Sequence, residues 1–505
     1  MKAAPALPRR VLALCRKRQM TQCPCVSVSD RLARRLPHFA PAQTNRHFMR
    51  PFKTAPARII TEFQPNATFQ SVPFEKQDAT APFHPMDFSR AKHYMKTGRR
   101  EFAMQRIEIA VIGAGLAGSI AALALARRGR KVALIAGPRG PRDRRTTALM
   151  DQSIRYLDRL GLWESLRPKA EALSTMQIVD GTQRLLRAPP VAFRSSEIGL
   201  SAFGYNFENA TLLDLLDAAV AAEPNLTVHD QAAGHIDIQP HGVFLTLADG
   251  TALEADLVVG ADGKRSATRA AAGISTREWS YPQTAVVLNF RHSLPHNNCS
   301  TEFHQESGPF TQVPLSRNLS SLVWVVQPQE AERLMTLSAE ALSQAVERRM
   351  DSLLGHVEVT ELPQAWPLSG MSATRYGRGR AVLIGEAAHA FPPIGAQGLN
   401  LSLRDVMALD ELAGKDMKTP VPQDFGDRFD RSRRVDVWTR TASVDLLNRS
   451  LLSSFLPVQM VRAAGLHVLS ALSPLRHLMM REGVEPGRGF KAFPEMLKER
   501  IMARR

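Results

Sequence analysis

Between Ile107 and Ala126 an apolar run stops at Gly113, takes Gly115 and Gly118 at short intervals, and continues into alanine-rich sequence. Few folds accommodate that order. It is the sequence form of a strand, a tight turn and a helix: Gly113 permits the turn, Gly115 with Ala114 brings backbone close to a phosphate, and Gly118 allows close helix packing. A phosphate placed there meets unpaired amides and the positive end of the helix dipole. About twenty mostly apolar residues could also cross a bilayer on small-residue packing positions. Against that stand Glu108 near one end, the three glycines, and Lys131 to Ala136, which supplies the second strand a nucleotide fold needs. The motif expects an acidic residue at the end of that strand to hold ribose hydroxyls. Ala136 occupies the place, so ribose recognition is weaker or comes from elsewhere, and the glycine fingerprint alone leaves NAD, FAD and coincidence open.

The chain has 505 residues, enough for two or three domains with a core. Its formal charge of +17 suggests nucleic acid until it is divided along the chain. Residues 1–103 hold 19 Lys/Arg against 6 Asp/Glu, and the remaining 402 hold 46 against 42. The body is nearly neutral and carries no zinc-finger or RNP pattern, so no nucleic-acid partner is expected. The leading segment is rich in Arg and Pro and lacks periodicity, which reads as disorder. It has no apolar stretch suited to secretion. An Arg-rich, acid-poor leader is similar to a mitochondrial transit peptide; the rival reading is a start codon assigned too early, with Met104 as the natural start. Cys15, Cys23 and Cys25 fall in the leader and Cys299 in the body, so neither a disulfide framework nor a metal site is expected.

Further along, Arg145 precedes helical spacing through Tyr156, Leu157, Leu160 and Trp163; a loop arginine close to the phosphate turn could make a bidentate contact with a pyrophosphate. A helix is expected near Thr211 to Ala222, and strand-like runs at Thr227 to Ile238 and Gly242 to Leu247. Leu257 begins a buried strand ending at Asp262 and Gly263, with Ser266 and Arg269 opening a helix. From Tyr281 to Trp366 the pattern changes to short alternating strands with one helix near Ser338 to Leu353, which suggests an antiparallel sheet layer inserted into the nucleotide domain. His292, His296 and His304 lie in it without metal-like spacing and are expected on the surface or a pocket wall. The chain returns through Ala381 to Gly385. Pro392 to Asn400 then opens a helix whose amides again face an anion, a geometry suited to the electron-rich edge of a reduced flavin.

On these motifs the chain resembles the class A flavoprotein monooxygenases, the group of para-hydroxybenzoate hydroxylase, and within it the ubiquinone-biosynthesis hydroxylases. The closer likeness rests on Thr146 to Leu149, on Leu157 to Trp163, on Gly395 to Asp405, and on Val461 to Leu466. The resemblance covers Met104 to about Gly483. It implies an α/β fold: a Rossmann-like FAD-binding domain over 104–280 and 371–440, an inserted antiparallel-sheet substrate domain over 281–370, and a helical C-terminal region over 441–505, after the 1–103 leader. It implies FAD held by Gly113, Ala114, Gly115, Gly118, Arg145, Asp262 and Gly263. Glu386 stands at the ribityl-binding position, and Pro393, Gly395, Ala396, Gln397, Gly398, Leu399 and Asn400 form the isoalloxazine loop. Three departures stand out: Ala136 for the ribose acid, Glu386 for the usual Asp, and Ala210 where the family has Arg after Asn209.

The activity implied is NAD(P)H- and O2-dependent hydroxylation of a polyprenylated phenol. The alternatives are a small soluble aromatic substrate, a silent flavin-binding subunit of a quinone-synthesis assembly, and a flavin reductase or dehydrogenase. No catalytic acid or base is read from the sequence. The apolar stretch from Leu446 to Met480, interrupted by Arg449, Arg462, Arg476, Pro457 and Pro474, suits a helical cover or a peripheral membrane contact better than a span. A cytoplasmic protein at the inner membrane, or alternatively one of the mitochondrial matrix, is expected.

Nothing upstream of Ile107 shows a core pattern. A chain starting at Met104 is therefore expected to fold and bind flavin as the full chain does. Loss of soluble expression on removing residues 1–103 would refute this.

Overall fold

The computed structural model describes residues 104–140, 143, 145–182, 189–305, 307–392, 397–415, 420–452 and 473–484. The expectations for the leader, for Pro393, Gly395 and Ala396, and for Val461 to Leu466 lie outside the described residues.

The glycine-turn motif folds as its sequence dictates. Gln105–Ile112 is a strand whose last four residues are buried, and Leu116–Arg127 is a helix with nine buried residues from Gly118 to Ala126. That helix is apolar on nearly every side because it is covered on nearly every side, by the sheet and by the helices Asn209–Ala221 and Gln397–Lys415. Alanine makes such crowding possible, since its side chain adds little bulk between backbones. Gln105–Ile112 sits centrally, parallel to Val132–Ile135 on one side and to Ala252–Gly260 on the other. Leu226–His229 continues the sheet beyond Val132–Ile135, again parallel.

The strand Ala252–Gly260 has two partners along one edge. Its first residues pair antiparallel with Val243–Leu247, which pairs in turn with Ala233–Ile238. Its last three residues pair parallel with Ala381–Leu383, so the chain comes back to the same sheet after a long excursion.

That excursion forms a nine-stranded sheet around one long strand, Thr276–His292, flanked by Gln364–Ala373 and Leu319–Val326. Pairing is antiparallel except where Cys299–Gln305 runs parallel to Thr175–Asp180. Thr175–Asp180 and its partner Val191–Arg194 come from the chain ahead of residue 281. One face of the sheet carries Val286, Leu288, Phe290, Phe310, Leu322 and Trp324, packed with Leu334, Leu342 and Val346 of the helices Pro328–Met335 and Ala339–Arg349. A small third sheet, Thr146–Met150, Gly204–Glu208 and Glu171–Leu173, touches the large one through Thr146 Oγ1 to Ser321 Oγ (2.9 Å) and Asn206 Nδ2 to the Pro314 carbonyl (2.8 Å).

The three histidines correct the surface expectation. His292, His296 and His304 are all buried. His292 contacts the Leu294 carbonyl (2.7 Å) and Ser320 Oγ (2.9 Å), His296 Nε2 the Leu315 carbonyl (2.8 Å), and His304 Nε2 a Glu302 oxygen (2.7 Å). A buried polar ring is tolerated once it finds partners; for His292 and His296 these include Ser320 and Leu315 from elsewhere in the chain, which sequence spacing does not reveal, whereas His304 uses Glu302 of its own strand.

C-terminal chain covers the assembly. The helix Phe425–Leu452 reaches the long strand through Asp445, which accepts the Tyr281 hydroxyl at 2.7 Å. The helix Ser473–Val484 buries Met480 and Val484 against Phe203.

Two glycines of the turn are irreplaceable on geometric grounds. Gly113 has φ +106°, and a Cβ there would lie 2.4 Å from the Ala261 carbonyl oxygen. At Gly118 a Cβ would lie 1.9 Å from the Gly113 carbonyl oxygen, a backbone atom that cannot swing away. Gly118→Val is therefore expected to abolish soluble folded protein. A soluble variant with an unchanged thermal unfolding midpoint would contradict this packing.

Candidate functional site

The phosphate turn closes through the Gly113 amide, which donates to the Ile135 carbonyl at 2.9 Å. Gly115 caps the following helix with extended backbone and no side-chain cap, so the first-turn amides have no side-chain partner. A Cβ built on Gly115 meets nothing within 4 Å. The result is a concave backbone surface at a helix N-terminus, which fits the diphosphate of a dinucleotide. At the end of the second strand Ala136 is buried, its amide donating to the His229 carbonyl (2.8 Å). Three residues later Arg139 makes a two-point contact with Asp217 on the helix Asn209–Ala221, at 2.5 and 2.6 Å.

Asp262 and Gly263 lie in the loop that follows Ala252–Gly260 and abuts the phosphate turn, with the Ala261 amide donating to the Ile112 carbonyl (2.8 Å). The Asp262 carboxylate works inside its own loop. It accepts from Ser266 Oγ at 2.5 Å and from the Thr268 amide and hydroxyl at 3.0 and 3.1 Å, capping the short helix Ala267–Ala271. Arg269 donates to the carbonyls of Ala387 (2.8 Å) and Lys264 (2.7 Å). Both side chains therefore shape the loop, and what they offer a ligand is the position of its backbone.

Arg145 sits at the other side of this corner. Its guanidinium forms a fork with Asp143 (both contacts 2.9 Å) and lies over the Trp366 ring, 5.6 Å from the centroid. Burial favours the neutral acid, yet the hydrogen bonds from Arg145 and Asn209 outweigh it and hold the Asp143 carboxyl below the usual carboxylate range. Asn209 donates to Asp143 (2.8 Å) and accepts from Thr147. The Asp143 bond first raises the affinity of Arg145 for its proton, and the field of exposed Glu386 adds to it. Beside this group a cavity of ≈ 430 Å³ opens between Asp143, Glu208 and Ala210 on one side and Asn289, Thr360, Glu361 and Leu362 on the other.

Glu386 belongs to a single turn, Gly385–Ala387, held by a buried network that sequence reading missed. Asp405 Oδ2 accepts from the Gly385 amide (3.1 Å) and from His389 Nε2 (2.7 Å), while Oδ1 accepts from Arg433 Nε (2.8 Å). His389, Asp405 and Arg433 are all buried. Burial pushes the Asp405 carboxyl up, but His389 and Arg433 overcome it and its acidity is raised above that of an ordinary aspartate. Arg433 also holds Asp436 (2.6 Å), which binds Arg404. The only sequence signal was an acidic residue eight positions into a helix, Asp405, with no visible surface partner.

Of the expected isoalloxazine loop, Gln397, Gly398, Leu399 and Asn400 form the first turn of the helix Gln397–Lys415. Gly398 is exposed and Gln397 and Leu399 are half-buried. Asn400 is buried and ties protein to protein: it accepts from the Met150 amide (2.9 Å) and Ser153 Oγ (2.8 Å) and donates to the Ala148 carbonyl (2.8 Å). No cluster of three metal-ligating side chains occurs among the described residues.

Residues 106–430 match the family model described as FAD binding domain. The chain is 32% identical over 409 residues to ubiquinone hydroxylase UbiL of Rhodospirillum rubrum, covering 77% of this chain and 93% of that protein. It is 28% identical to the 3-demethoxyubiquinol 3-hydroxylase of Escherichia coli, covering 72% and 94% of the two chains. Among solved structures, PqsL of Pseudomonas aeruginosa, a probable FAD-dependent monooxygenase, superimposes with a TM-score of 0.60 at 21% identity, over 72% of this chain and all of that one.

Removing one side of the Asp405 network leaves Arg433 charged and buried without its main partner, which costs about 3–5 kcal/mol in such pairs. Asp405→Ala is thus expected to lower the thermal unfolding midpoint more than any exposed Asp→Ala. The folded carboxyl titrates below its ordinary value of 3.8, so its stabilisation is complete above that pH and fades only as pH falls further. The carboxyl stays ionised at both pH 6 and pH 8, so a deficit should be present at each; its absence at either pH would contradict the assignment.

Proposed function

The chain belongs to the family that shares this FAD-binding domain, and we propose that it is an FAD-dependent monooxygenase that hydroxylates the ring of a polyprenylated phenol on the route to ubiquinone. The observation that carries the reading is one corner of the molecule. There the glycine turn abuts the Asp262 loop, Arg269 of that loop holds the turn that carries Glu386, and Arg145 pairs with Asp143 on the wall of a cavity that Asn289 of the nine-stranded sheet also lines. Similarity to ubiquinone hydroxylase UbiL along almost the whole of that protein supports the substrate class.

In this reading the backbone at Gly113, Ala114, Gly115 and Gly118 receives the diphosphate of FAD, and the backbone of Asp262 and Gly263 lines the same groove. Glu386 accepts hydrogen bonds from sugar-alcohol hydroxyls, as the usual aspartate would. The amides of Gln397, Gly398 and Leu399, at the start of their helix, would stabilise negative charge on the ring system, and Pro393, Gly395 and Ala396 are assigned with them by their place in the sequence motif. Arg145 adds a fixed positive charge. FAD, when bound, supplies the redox chemistry. The stoichiometry is one phenol, one O2, one NAD(P)H and one proton giving the ring-hydroxylated product, water and NAD(P)+. The protein's part is to seat the ring against the cofactor edge, shield it from water, and hold the charges around it.

A lipid substrate calls for contact with a bilayer, and we place that contact on the C-terminal helices. No described helix is long and apolar enough to cross a membrane. The helix Phe425–Leu452 leaves Val435 (74%) and Trp438 (69%) exposed beside exposed Arg431, a combination suited to a lipid interface. Association with other ubiquinone-biosynthesis proteins would use surfaces of the same kind.

Two measurements test the reading. Gly115→Val puts a side chain into the diphosphate groove and should give colourless protein, whereas Arg145→Ala should retain part of the flavin; equal flavin content in these and the parent would sink the site. A strain lacking the protein should accumulate an under-hydroxylated prenylphenol. Normal ubiquinone in that strain, with no paralogue present, would defeat the substrate assignment.

A further inference from the structure

The chain crosses between its two large sheets twice in quick succession. It leaves the nine-stranded sheet at Ala373, joins the first sheet through Gly377–Arg378 and Ala381–Leu383, makes the turn Gly385–Ala387, and re-enters the nine-stranded sheet as the short strand His389–Ala390. There Ser372 lies opposite His389 in an antiparallel pair, and the Ala373 amide donates to the Ala388 carbonyl (2.8 Å). Within a few residues, a turn of the cofactor corner gives way to an edge strand of the other layer.

One carboxylate holds both sides of that passage. Asp405 Oδ2 accepts from the Gly385 amide at 3.1 Å and from His389 Nε2 at 2.7 Å. The imidazole and the carboxylate are almost wholly buried, with side-chain exposures of 1% and 2%. In such surroundings water does not replace a lost hydrogen bond, so the contact fixes geometry. The ring is used a second time. Phe391 stacks on it, with centroids 5.4 Å apart and planes inclined by 17°. Side chains two apart on an extended chain share a face, and Phe391 leads in sequence toward the helix that starts at Gln397.

We propose that His389 is a positioning residue: through Asp405 it holds the edge of the nine-stranded sheet in register with the turn that carries Glu386. The inference rests on the hydroxylase reading and assigns a role in it to a buried side chain. Ring hydroxylation needs the aromatic carbon, seated against one layer, within about an ångström of its place beside a cofactor carried by the other. When the layers slip, the electrons of NAD(P)H pass to O2 without reaching the ring: NAD(P)H, O2 and one proton give NAD(P)+ and hydrogen peroxide, and the phenol is unchanged. A register fault therefore shows as lost coupling between NAD(P)H consumed and product formed. A histidine that served packing alone would lower stability and leave that ratio as it was.

His389→Leu leaves Asp405 paired with Arg433 Nε (2.8 Å) and the Gly385 amide, so no buried charge is orphaned and the chain should still fold. Two readouts on the FAD-loaded full chain test the role. In hydrogen exchange, the Gly385 and Ala373 amides of His389→Leu should exchange roughly tenfold faster, while Ile109 to Val111 of the central strand keep their protection. In turnover with a phenol bearing one short prenyl chain, product per NAD(P)H consumed should fall about threefold, with hydrogen peroxide making up the difference and KM for the phenol moving less than that ratio. His389→Gln keeps an N–H donor of similar reach and should recover part of the ratio. Phe391→Leu removes the stack and keeps the Asp405 contact, so it should lose less than His389→Leu. An unchanged ratio in His389→Leu would overturn the positioning role, as would unchanged exchange at Gly385 and Ala373. Were His389→Leu insoluble, parent-like ratios in both His389→Gln and Phe391→Leu would overturn it. A parent that consumes NAD(P)H without hydroxylating the phenol would remove the hydroxylase reading, and the exchange measurement would then judge the link between the layers by itself.

Discussion

A single buried carboxylate organises the corner on which the rest depends. Three donors from three segments meet on Asp405: the amide of Gly385, the imidazole of His389 and the guanidinium of Arg433. Removing a carboxylate from water is costly unless every lone pair finds a donor. The turn that presents Glu386, the helix that begins at Gln397 and the helix Phe425–Leu452 are therefore bound in one arrangement. Asp436 extends the link by holding both Arg433 and Arg404. The C-terminal helix thus belongs to the cofactor corner as much as it covers it.

The parts legible in the sequence are those governed by local chemistry. The glycine spacing at 113, 115 and 118 and the return at Ala381 follow from short-range rules about turns, periodicity and helix starts and lie where those rules put them, whereas the strand expected from Leu257 to Asp262 and Gly263 starts earlier and stops sooner, at Ala252–Gly260. What escaped reading is set by partners far along the chain. Thr175–Asp180 enters the large sheet by pairing with Cys299–Gln305, and nothing in its own alternation names that partner. His292 and His296 look like polar punctuation until Ser320 and the Leu315 carbonyl, from elsewhere in the chain, deliver their hydrogen bonds.

The same distinction separates contact from support among the residues singled out by motif. Asp262, Arg269 and Asn400 spend their side chains on neighbouring protein: a helix cap, a pair of carbonyls, and a cross-tie between the helix start at Gln397 and the strand Thr146–Met150. Gly115 and Glu386 leave space or an exposed carboxylate instead. A motif thus mixes groups that touch a ligand with groups that place them, and fold geometry sorts the two. Ala136 belongs to neither class: it fills a buried strand end, while Arg139 and Asp217 supply the polar pairing nearby.

The two-sided pairing of Ala252–Gly260 has a consequence for the order of assembly. Its far edge is completed by Ala381–Leu383, and the corner is locked only when Arg433 arrives. On a ribosome, the first sheet is made early but keeps an unpaired parallel edge until the strands of the large layer up to Gln364–Ala373 have emerged. Contacts of such long sequence separation form slowly, and an exposed apolar edge is prone to pairing with other chains in the interval. The antiparallel pairing of Val243–Leu247 along the first part of that edge is local and can form at once, shortening the stretch that must wait. Nascent chains halted between residues 260 and 381 would therefore carry that apolar edge uncovered.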